Sequence, residues 1–259
     1  MNEFEKEYYE YDPLWNIDSI KKDDLCRVNY VINLIPQDVN TVLDVGSGNG
    51  LFCNRLKMSN NKYIVGLDRS FTALKYVYVD KVNADISKLP FKDNSFDLVV
   101  TMEVLEHLPI PIFSAALKEL SRVSNKYILI SVPNDENLKL SLVQCPYCFT
   151  AFNPVYHMRS FNKSNLTEII NFQGFKVLRV LEINKNYVII FNINNLLKKI
   201  IGFNKDIGLS ICPTCGFNKR YNINNDKKPL YYTNIITTIK KIWPKKSKYR
   251  WLIALYIKN

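Results

Sequence analysis

Residues 41–50 read Thr-Val-Leu-Asp-Val-Gly-Ser-Gly-Asn-Gly and decide the fold of this 259-residue chain. Residues 42–45 form a short, mainly apolar run that predicts a buried strand, and Leu51 opens a helix directly after the third glycine. Glycines lack a Cβ, so they accept positive φ and allow the backbone to lie against a ligand. A strand, a glycine turn and a helix in this order predict a nucleotide-binding unit.

The spacing of the glycines indicates which ligand the turn receives. Dinucleotide-binding folds use G-x-G-x-x-G, which places a pyrophosphate at a helix N-terminus. Here Gly46, Ser47, Gly48 and Gly50 give G-x-G-x-G, preceded by Asp44, whose carboxylate repels a pyrophosphate and suits a cation. The pattern D-x-G-x-G-x-G resembles the first motif of the class I S-adenosylmethionine-dependent methyltransferases, whose cofactor carries a sulfonium and an α-amino group.

Two further acids follow the next predicted strands. The strand at 63–67 ends at Asp68, and an acid in that place can accept hydrogen bonds from both ribose hydroxyls of a nucleoside. The strand at 79–83 leads into Asp85 and Ile86. The resemblance implies that the Asp85 carboxylate binds the adenine amino group and that the Ile86 backbone amide binds a ring nitrogen.

The remainder of the chain continues the alternation of strands and helices. Residues 96–108, F-D-L-V-V-T-M-E-V-L-E-H-L, resemble the small-molecule methyltransferase branch known as type 11. The predicted later elements are a helix at 112–123, a strand at 127–132, a helix at 165–172, a strand at 175–181 and an antiparallel strand at 251–257. We therefore expect an α/β fold, a doubly wound seven-stranded Rossmann-like methyltransferase sheet, with two insertions that form a zinc-stapled cap.

The predicted domain organisation follows from these elements. Residues 1–39 form an N-terminal helical lid, with a helix at 25–35 that Pro36 ends. In the resembling enzymes such a leader folds over the cofactor, which makes Tyr11 and Trp15 candidates for the lid. The predicted core is 40–182 with an insertion at 134–160, the basic, cysteine-containing cap is 183–247, and the final core strand is 248–259.

Each insertion contains one Cys-Pro-x-Cys motif, Cys145–Cys148 and Cys212–Cys215. Four thiolates in a tetrahedral arrangement form a closed structural zinc site, which would join the two insertions. Two alternatives stay open at this point. Free thiols are one, and a redox role is the other, because Cys-Pro-Tyr-Cys resembles the glutaredoxin active site; that motif belongs to a different fold and leaves the second pair unexplained.

The two histidines of the chain are the catalytic candidates, together with Glu103. Glu103, Glu106 and His107 share one face if the turn is helical, and His157 lies in a loop at the same edge of the sheet. The arrangement resembles the divalent-metal site of small-RNA 2′-O-methyltransferases and ubiquinone-pathway O-methyltransferases, in which a metal such as magnesium would lower the pKa of the acceptor hydroxyl. The alternatives are that Glu106 and His107 order the loop, and that His157 acts as a general base or orienting group.

Positive charge is concentrated in the last third of the chain. The formal net charge is +11, but residues 183–259 hold 15 Lys and Arg against two acids, so residues 1–182 are close to neutral. Apolar residues and lysines alternate at helical spacing in 195–201 and 235–243. Three interpretations remain: a solvated helical cap, adsorption to an anionic bilayer supported by Trp243 and Trp251, and binding of a polyanionic acceptor such as RNA.

Composition and termini limit the class of protein. The apolar fraction of 47% and the charged fraction of 23% are ordinary for a globular domain. The acidic and aromatic N-terminus predicts no signal peptide, and no stretch approaches the roughly 18 apolar residues of a membrane span. We expect a cytoplasmic protein, peripheral to a membrane at most, with cysteines that are reduced or metal-bound.

The sequence therefore predicts an enzyme that transfers a methyl group from S-adenosylmethionine to a small-molecule or glycan/lipid-type acceptor, at oxygen. Methylation of the 2′-hydroxyl of RNA, with a divalent metal at the Glu and His residues, is the alternative reaction. A non-enzyme alternative is a degenerate methyltransferase fold that serves as a zinc-dependent binding or membrane-adaptor module.

Overall fold

The computed structural model describes residues 3–16, 20–59, 61–170, 174–189, 207–218 and 245–259. Their strands are β1 (Thr41–Val45), β2 (Tyr63–Asp68), β3 (Asp80–Asn83), β4 (Phe96–Met102), β5 (Ser124–Pro133), β6 (Val143–Gln144), β7 (Ala151–Phe152), β8 (Phe175–Ile189) and β9 (Lys245–Lys258). Seven of these strands form one sheet in the order β3-β2-β1-β4-β5-β9-β8, and β6 pairs with β7. The predicted seven-stranded, Rossmann-like α/β sheet is confirmed.

The helices that we expected after the glycine turn and at 25–35, 112–123 and 165–172 are present with shifted ends; a further helix at 3–9 lies in the predicted lid, and the helix at 138–141 was not predicted. The helices are α1 (Glu3–Tyr9), α2 (Lys22–Asn33), α3 (Leu51–Ser59), α4 (Ile110–Val123), α5 (Leu138–Ser141) and α6 (Lys163–Glu168). The helix that we expected at 25–35 begins three residues earlier and ends before Pro36. Short 3-10 turns occupy Asp12–Leu14, Ala73–Tyr76 and Leu105–His107.

Helices cover both faces of the sheet, because successive residues of a strand point to opposite faces. Leu43 and Val45 of β1 belong to the cluster that contains the buried residues of α4 and Leu166 of α6. Val42 belongs to the opposite cluster, which contains buried residues of α2 and α3. β1 is therefore buried on both faces, which accounts for its near-continuous apolar sequence.

The carboxyl ends of β1 to β4 meet at one edge of the sheet, because these strands are parallel. Asp44 lies beside Gly66 of β2 and Val100 of β4, and Asp68 lies beside Asn83 of β3. The glycine turn and the residues that follow Asp68 and β3 are thereby gathered at this edge. Sheets of this type bind ligands there.

The last two strands close the sheet. β9 runs antiparallel to both β5 and β8. Both strands are longer than predicted: β8 continues past Leu181 to Ile189 and β9 begins at Lys245. The extra residues pair with one another across the two strands, which gives the extension its backbone hydrogen bonds.

The described parts of the two insertions pack together. Val143 and Phe152 of the β6–β7 hairpin form a small buried cluster with Ile207, Cys145 and Cys212. The lysine-rich segments at 195–201 and 235–243 lie outside the described residues, as does Trp243.

The interpretation of Trp251 as a membrane anchor is wrong. This side chain is only 2% exposed, because it lies in β9 in the apolar cluster on the α2 side of the sheet. Contact with an anionic membrane therefore remains a prediction about the lysine-rich segments alone. Among the described helices, none has the length and apolar character needed to cross a bilayer.

Candidate active site

A cavity of about 430 Å³ lies at the carboxyl ends of the parallel strands. It is lined by seven of the eight residues that the sequence predicts for the cofactor: Asp44, Gly46, Ser47, Gly48, Asp68, Asp85 and Ile86. The eighth, Gly50, is not among the lining residues. It begins the turn into α3, and its carbonyl accepts a hydrogen bond from the Asn54 amide.

The glycine turn is bonded to the end of β2. The amides of Gly46 and Ser47 donate to the carbonyl of Leu67 at 2.7 and 2.9 Å, and the amide of Gly48 donates to the Asp68 carboxylate at 2.8 Å. Gly46 has a φ of 77°, and a Cβ at this position would lie 2.2 Å from Cγ2 of Val104. Glycine is therefore required at position 46 for both reasons.

Asp68 is held in place before any ligand binds. Its two carboxylate oxygens accept the amides of Gly48 and Ser70, each at 2.8 Å. Burial raises the pKa of Asp68, and these hydrogen bonds oppose that rise. Each oxygen keeps a second lone pair, so the carboxylate can still accept a hydroxyl from a ligand.

Asp44 is a buried acid whose charge is poorly compensated. Its side chain is 1% exposed, and its Oδ2 has no hydrogen-bond partner among the described residues. Burial, and secondly the charge of Asp68, raise the pKa of Asp44 to about 7. Two acids in this position favour a cationic group in the cavity.

The raised pKa of Asp44 predicts a pH-dependent stability. Its ordinary pKa is 3.8, so between that value and about 7 the folded state binds more protons than the unfolded state, and stability is lost as the pH rises. Asp44→Asn removes this ionisation. In cofactor-free protein, we expect the difference in free energy of unfolding, variant minus wild type, to be larger at about pH 8 than at about pH 5. Urea unfolding at both pH values measures it, and a constant difference would contradict the assignment.

The N-terminal segment covers part of the cavity. Trp15 lines it, and a Cβ on Gly48 would lie 3.0 Å from the Trp15 ring. The Trp15 indole donates to the Tyr9 carbonyl at 2.7 Å, and Asn49 donates to the Trp15 carbonyl at 3.1 Å. Tyr11, the other residue predicted for the lid, is not among the lining residues, whereas Tyr9 is.

Tyr9 lines the cavity although no sequence pattern predicted it as a site residue. Its hydroxyl lies 3.1 Å from Nδ1 of His107, and the Arg69 guanidinium stacks over its ring at 4.7 Å. Burial raises the pKa of Tyr9 far above its ordinary value, so the phenol is protonated. Tyr8, Tyr9 and Tyr11 are adjacent in one aromatic cluster, and the sequence contains no signal that distinguishes which of them faces the cavity.

Glu103, Glu106 and His107 do not share one helical face. Glu103 directly follows β4 and has a φ of 55°, and the 3-10 turn beyond it contains only Leu105–His107. The Glu103 carboxylate instead pairs with Arg27 at 2.8 Å and accepts the Trp251 indole at 3.0 Å. The expected shared face is therefore absent, because a left-handed residue after β4 turns the Glu103 side chain toward α2 and β9, and a catalytic or metal-binding role for Glu103 stays a prediction.

Glu106, His107 and His157 form a compact cluster, in which Glu106 is buried and the two histidines are half-buried. One potential ligand atom from each lies within 4.8 Å of the others, and the two imidazole rings are 4.6 Å apart. Neither Glu106 oxygen has a hydrogen-bond partner among the described residues, and burial raises the Glu106 pKa well above its ordinary value. Burial, and then the charge of His157, lower the pKa of His107 to about 3, so this imidazole is neutral.

A second cavity, of about 350 Å³, adjoins the first, and Glu103 lines both. His157 faces this second cavity, and its Nδ1 is bonded to Glu136. Glu136 was not among the site residues predicted from the sequence. The other lining residues are Pro133, Asn134, Asn137, Asn186, Lys248, Tyr249, Arg250 and Trp251.

The four cysteines of the Cys-Pro-x-Cys motifs come together. Sγ of Cys145 lies 3.7 Å from that of Cys215, Sγ of Cys148 lies 3.5 Å from that of Cys212, and a ligand atom of each lies within 4.8 Å of the others. The two turns have the same backbone pattern: the carbonyl of the first cysteine accepts the amide four residues later, and its amide donates to the carbonyl five residues later. Two copies of one turn therefore face each other across a space lined by sulfur. Cys26 and Cys53 lie outside this cluster.

Comparison with known proteins agrees with this fold. The family model described as "Methyltransferase domain" matches residues 43–127. An uncharacterized protein of Methanocaldococcus jannaschii, MJ0638, is 41% identical over 103 residues, 38% of this chain and 43% of that protein. A probable S-adenosylmethionine-dependent methyltransferase of Mycolicibacterium smegmatis is 30% identical over 145 residues, 52% of each. The chain thus spans about half the length of the curated relatives it matches.

Solved structures give the same result for the fold. The magnesium protoporphyrin IX methyltransferase of Synechocystis PCC 6803, determined with bound SAH, superposes with a TM-score of 0.53 at 16% identity, over 69% of this chain and 91% of that one. The chain therefore has the Rossmann-like methyltransferase fold, and its residues 43–127 match the methyltransferase domain family.

Proposed function

We propose that the chain is an S-adenosylmethionine-dependent methyltransferase that acts on a small-molecule or glycan/lipid-type acceptor, at oxygen. One observation carries the proposal. The acids and glycines at the ends of β1, β2 and β3 line a single cavity, and the residues that match the methyltransferase domain family include all of them. The relatives with methyltransferase names, and the neighbour with bound SAH, support the same cofactor.

The charges of the cavity fit this cofactor. Six carboxyl groups line it, against two guanidinium groups: Glu5, Asp24, Asp44, Asp68, Asp85 and Glu103, and Arg27 and Arg69. The positive charges of a sulfonium and an ammonium group compensate the excess negative charge of these acids, whereas a pyrophosphate would bring further negative charge. The unpartnered oxygen of Asp44 is the clearest sign that a cation belongs there.

In the proposed reaction, different residues of the cavity would hold different parts of the cofactor. The cofactor supplies an electrophilic methyl group. Asp68 would hold the ribose, Asp85 and the Ile86 amide would hold the adenine, and Trp15 and Tyr9 would exclude water from one side. Much of the rate enhancement would come from holding the acceptor oxygen in line with the methyl group.

The second cavity is the proposed acceptor site. Its asparagine, glutamate and tyrosine side chains are able to form hydrogen bonds with hydroxyl groups, which supports an oxygen acceptor. His157 would accept the hydroxyl proton at Nε2, because Glu136 bonds Nδ1 and thereby selects the tautomer. Glu136 would be the positioning residue for this step.

A divalent metal at the acceptor side is a second candidate. The observation that favours it is the convergence of Glu106, His107 and His157, with two unpartnered carboxylate oxygens and a neutral imidazole. Glu103 would join these ligands only if its carboxylate left Arg27 or Trp251, to which it is bonded. Such an ion would bind the acceptor hydroxyl and lower its pKa, as the RNA 2′-O-methylation alternative requires.

We also propose that the four cysteines hold a structural zinc ion. The donor set suits it, because four cysteine sulfurs are the usual ligands of a closed, tetrahedral zinc site. Hydrogen bonding to Thr150 lowers the pKa of the Cys148 thiol to about 6, whereas burial raises the pKa of Cys212 and that of Cys215, so the proposal rests on the geometry of the four sulfurs. The ion would join the β6–β7 hairpin to residues 207–218.

Calorimetric titration with S-adenosylmethionine and S-adenosylhomocysteine tests the cofactor assignment. We expect dissociation constants on the order of micromolar for wild type. Trp15→Ala should weaken binding roughly tenfold, because it opens one wall of the cavity, while Tyr11→Ala should leave binding unchanged. Absence of binding by the folded wild type would overturn the enzyme assignment in favour of the non-enzyme alternative.

The acceptor class requires methyl transfer itself. Incubation with methyl-labelled S-adenosylmethionine and, separately, neutral glycosides, phenols and RNA distinguishes the acceptors, and each is assayed with and without magnesium. Label in glycosides or phenols without added magnesium supports the His157 assignment. Label in RNA that depends on magnesium supports the metal candidate.

A further inference from the structure

Tyr156 connects the four-cysteine cluster to the cofactor cavity. Its side chain is 6% exposed, and its hydroxyl donates to the Ile211 carbonyl at 2.7 Å and accepts the Ile211 amide at 3.0 Å. Ile211 is fully buried and immediately precedes Cys212. One hydroxyl therefore fixes both backbone groups of the residue that leads into the second cysteine turn.

The conformation of Tyr156 needs such support. Its φ is 59°, in the left-handed region that bulky residues rarely adopt. The next residue is His157, the proposed proton acceptor. Hydrogen bonds from the cysteine-containing segment at 207–218 thus hold the backbone from which His157 projects.

The ring of Tyr156 supports the other side of the connection. It packs edge-on against Tyr8 of α1, with the ring centroids 5.0 Å apart. α1 also touches the second cysteine turn directly, since a Cβ on Gly216 would lie 2.6 Å from Cε1 of Phe4. Helix α1 therefore contacts the cysteine-containing segment directly at Gly216, and indirectly through Tyr156, which is bonded to Ile211.

The neighbouring side of α1 faces the cofactor cavity. Glu5 and Tyr9 line the cavity, and the Tyr9 carbonyl accepts the Ser70 hydroxyl at 2.9 Å. The Glu10 carboxylate, one residue after α1, accepts the amides of Phe71 and Thr72 at 3.1 and 3.0 Å. The N-terminal segment is held between the cysteine cluster and the loop that follows Asp68.

The segment at 207–218 lacks regular secondary structure that would hold it in this position. It contains no helix or strand, and its buried contacts are with the hairpin cysteines and the residues around Tyr156. Without a metal, the four sulfurs have only weak mutual hydrogen bonds to hold them together. A bound ion would therefore order this segment, and with it the surface on which Tyr156 and α1 rest.

We propose that Tyr156 couples the two sites, so that a zinc-type ion on the four cysteines and the cofactor in the 430 Å³ cavity strengthen each other's binding. The inference rests on the proposed function. Coupling between two sites is reciprocal: the factor by which zinc raises cofactor affinity must equal the factor by which the cofactor raises zinc affinity. Two independent sites would show a factor of one in both measurements, so a factor above one in both is the evidence for coupling.

Two hydroxyl deletions test the coupling. Tyr156→Phe removes the bonds to Ile211 and keeps the ring against Tyr8, and Tyr147→Phe makes the same chemical change at an exposed position inside the first cysteine turn. Affinity for S-adenosylhomocysteine is measured by calorimetry for each zinc-loaded protein and again after chelation under reducing conditions. We expect chelation to weaken binding roughly tenfold in wild type and in Tyr147→Phe, and by less than about threefold in Tyr156→Phe.

The reverse measurement starts from folded, zinc-loaded protein. Competition with a chromophoric chelator gives the zinc affinity with and without saturating S-adenosylhomocysteine. The same factor should appear in wild type and Tyr147→Phe and should be largely lost in Tyr156→Phe. Where circular dichroism shows that the zinc-free protein unfolds, unfolding itself would link the two sites and Tyr156→Phe would keep the full factor, which would overturn the role of Tyr156.

The outcomes separate this inference from the proposed function. No binding of S-adenosylhomocysteine by zinc-loaded wild type would overturn both. Equal cofactor affinity with and without zinc, or a Tyr156→Phe variant that keeps the full difference, would overturn the coupling and leave the cofactor assignment intact. Failure of the cysteines to bind zinc would overturn the coupling as well.

Discussion

Replacing Gly46 by alanine should reduce the affinity for S-adenosylhomocysteine by at least roughly tenfold. The alanine Cβ would lie 2.2 Å from Cγ2 of Val104, so Val104 must move. Val104 lines the cofactor cavity and precedes the turn that carries Glu106 and His107. Its displacement would deform the cavity wall, and the amide of residue 46 would lose its position against Leu67.

Gly174→Ala is the matched control for this substitution. Gly174 has a φ of 79°, almost the same as the 77° of Gly46, but no described atom lies within 4 Å of its added Cβ. Both variants therefore carry the cost of a left-handed alanine, about 1–2 kcal/mol of stability. Only Gly46→Ala should also lose cofactor affinity. Equal affinities in the two variants, by calorimetry, would mean that the approach of Val104 to the glycine turn does not shape the cofactor site.

Replacing Cys212 by serine should abolish zinc binding and lower the thermal stability. Cys212 is fully buried within the cluster of four sulfurs, and three remaining thiolates make a far weaker zinc site. Structural zinc contributes on the order of 10 kcal/mol of apparent binding energy to small zinc domains at neutral pH. We expect one zinc ion per wild-type chain and none in the variant, by elemental analysis.

Chelation provides an internal check on this prediction. Removing zinc from the wild type should lower its melting temperature to that of Cys212→Ser, and the chelator should not lower that of the variant further. Cys26→Ser is the control, because Cys26 lies in α2, outside the cluster, and this variant should retain its zinc. If Cys212→Ser retained one zinc ion per chain, the assignment of the four cysteines as a zinc site would be wrong.

Local sequence signals were sufficient for the cofactor side of the site. The strand, the glycine turn and the helix of residues 41–59 are adjacent in sequence, and their geometry depends on residue type and short-range hydrogen bonds. Asp68 ends one parallel strand and Asp85 follows the next, and parallel strands end at a common edge. Knowledge of the strands therefore places these residues without any knowledge of side-chain packing.

Local sequence signals were not sufficient to place the residues around the histidines. The spacing of Glu103, Glu106 and His107 predicts a shared face only if the backbone is helical, and Glu103 takes a left-handed conformation instead. Its partners, Arg27 and Trp251, are 76 and 148 positions away in the chain, and no local pattern indicates them. The same holds for Glu136 beside His157, since both lie in segments without regular periodicity.

The sequence by itself thus determined the fold class, the cofactor edge of the sheet and the two cysteine turns, because each depends on contacts between neighbours in the chain or on the rule that parallel strands end together. Only the tertiary structure decided that Tyr9 and Trp15, rather than Tyr11, line the cavity, that Trp251 is buried, and that the two cysteine turns face each other. Those outcomes depend on long-range packing between segments that are far apart in the chain, and no local sequence pattern indicates which segments come into contact. Tyr156 is the clearest case, because its importance arises entirely from Ile211 and Tyr8, 55 and 148 positions away.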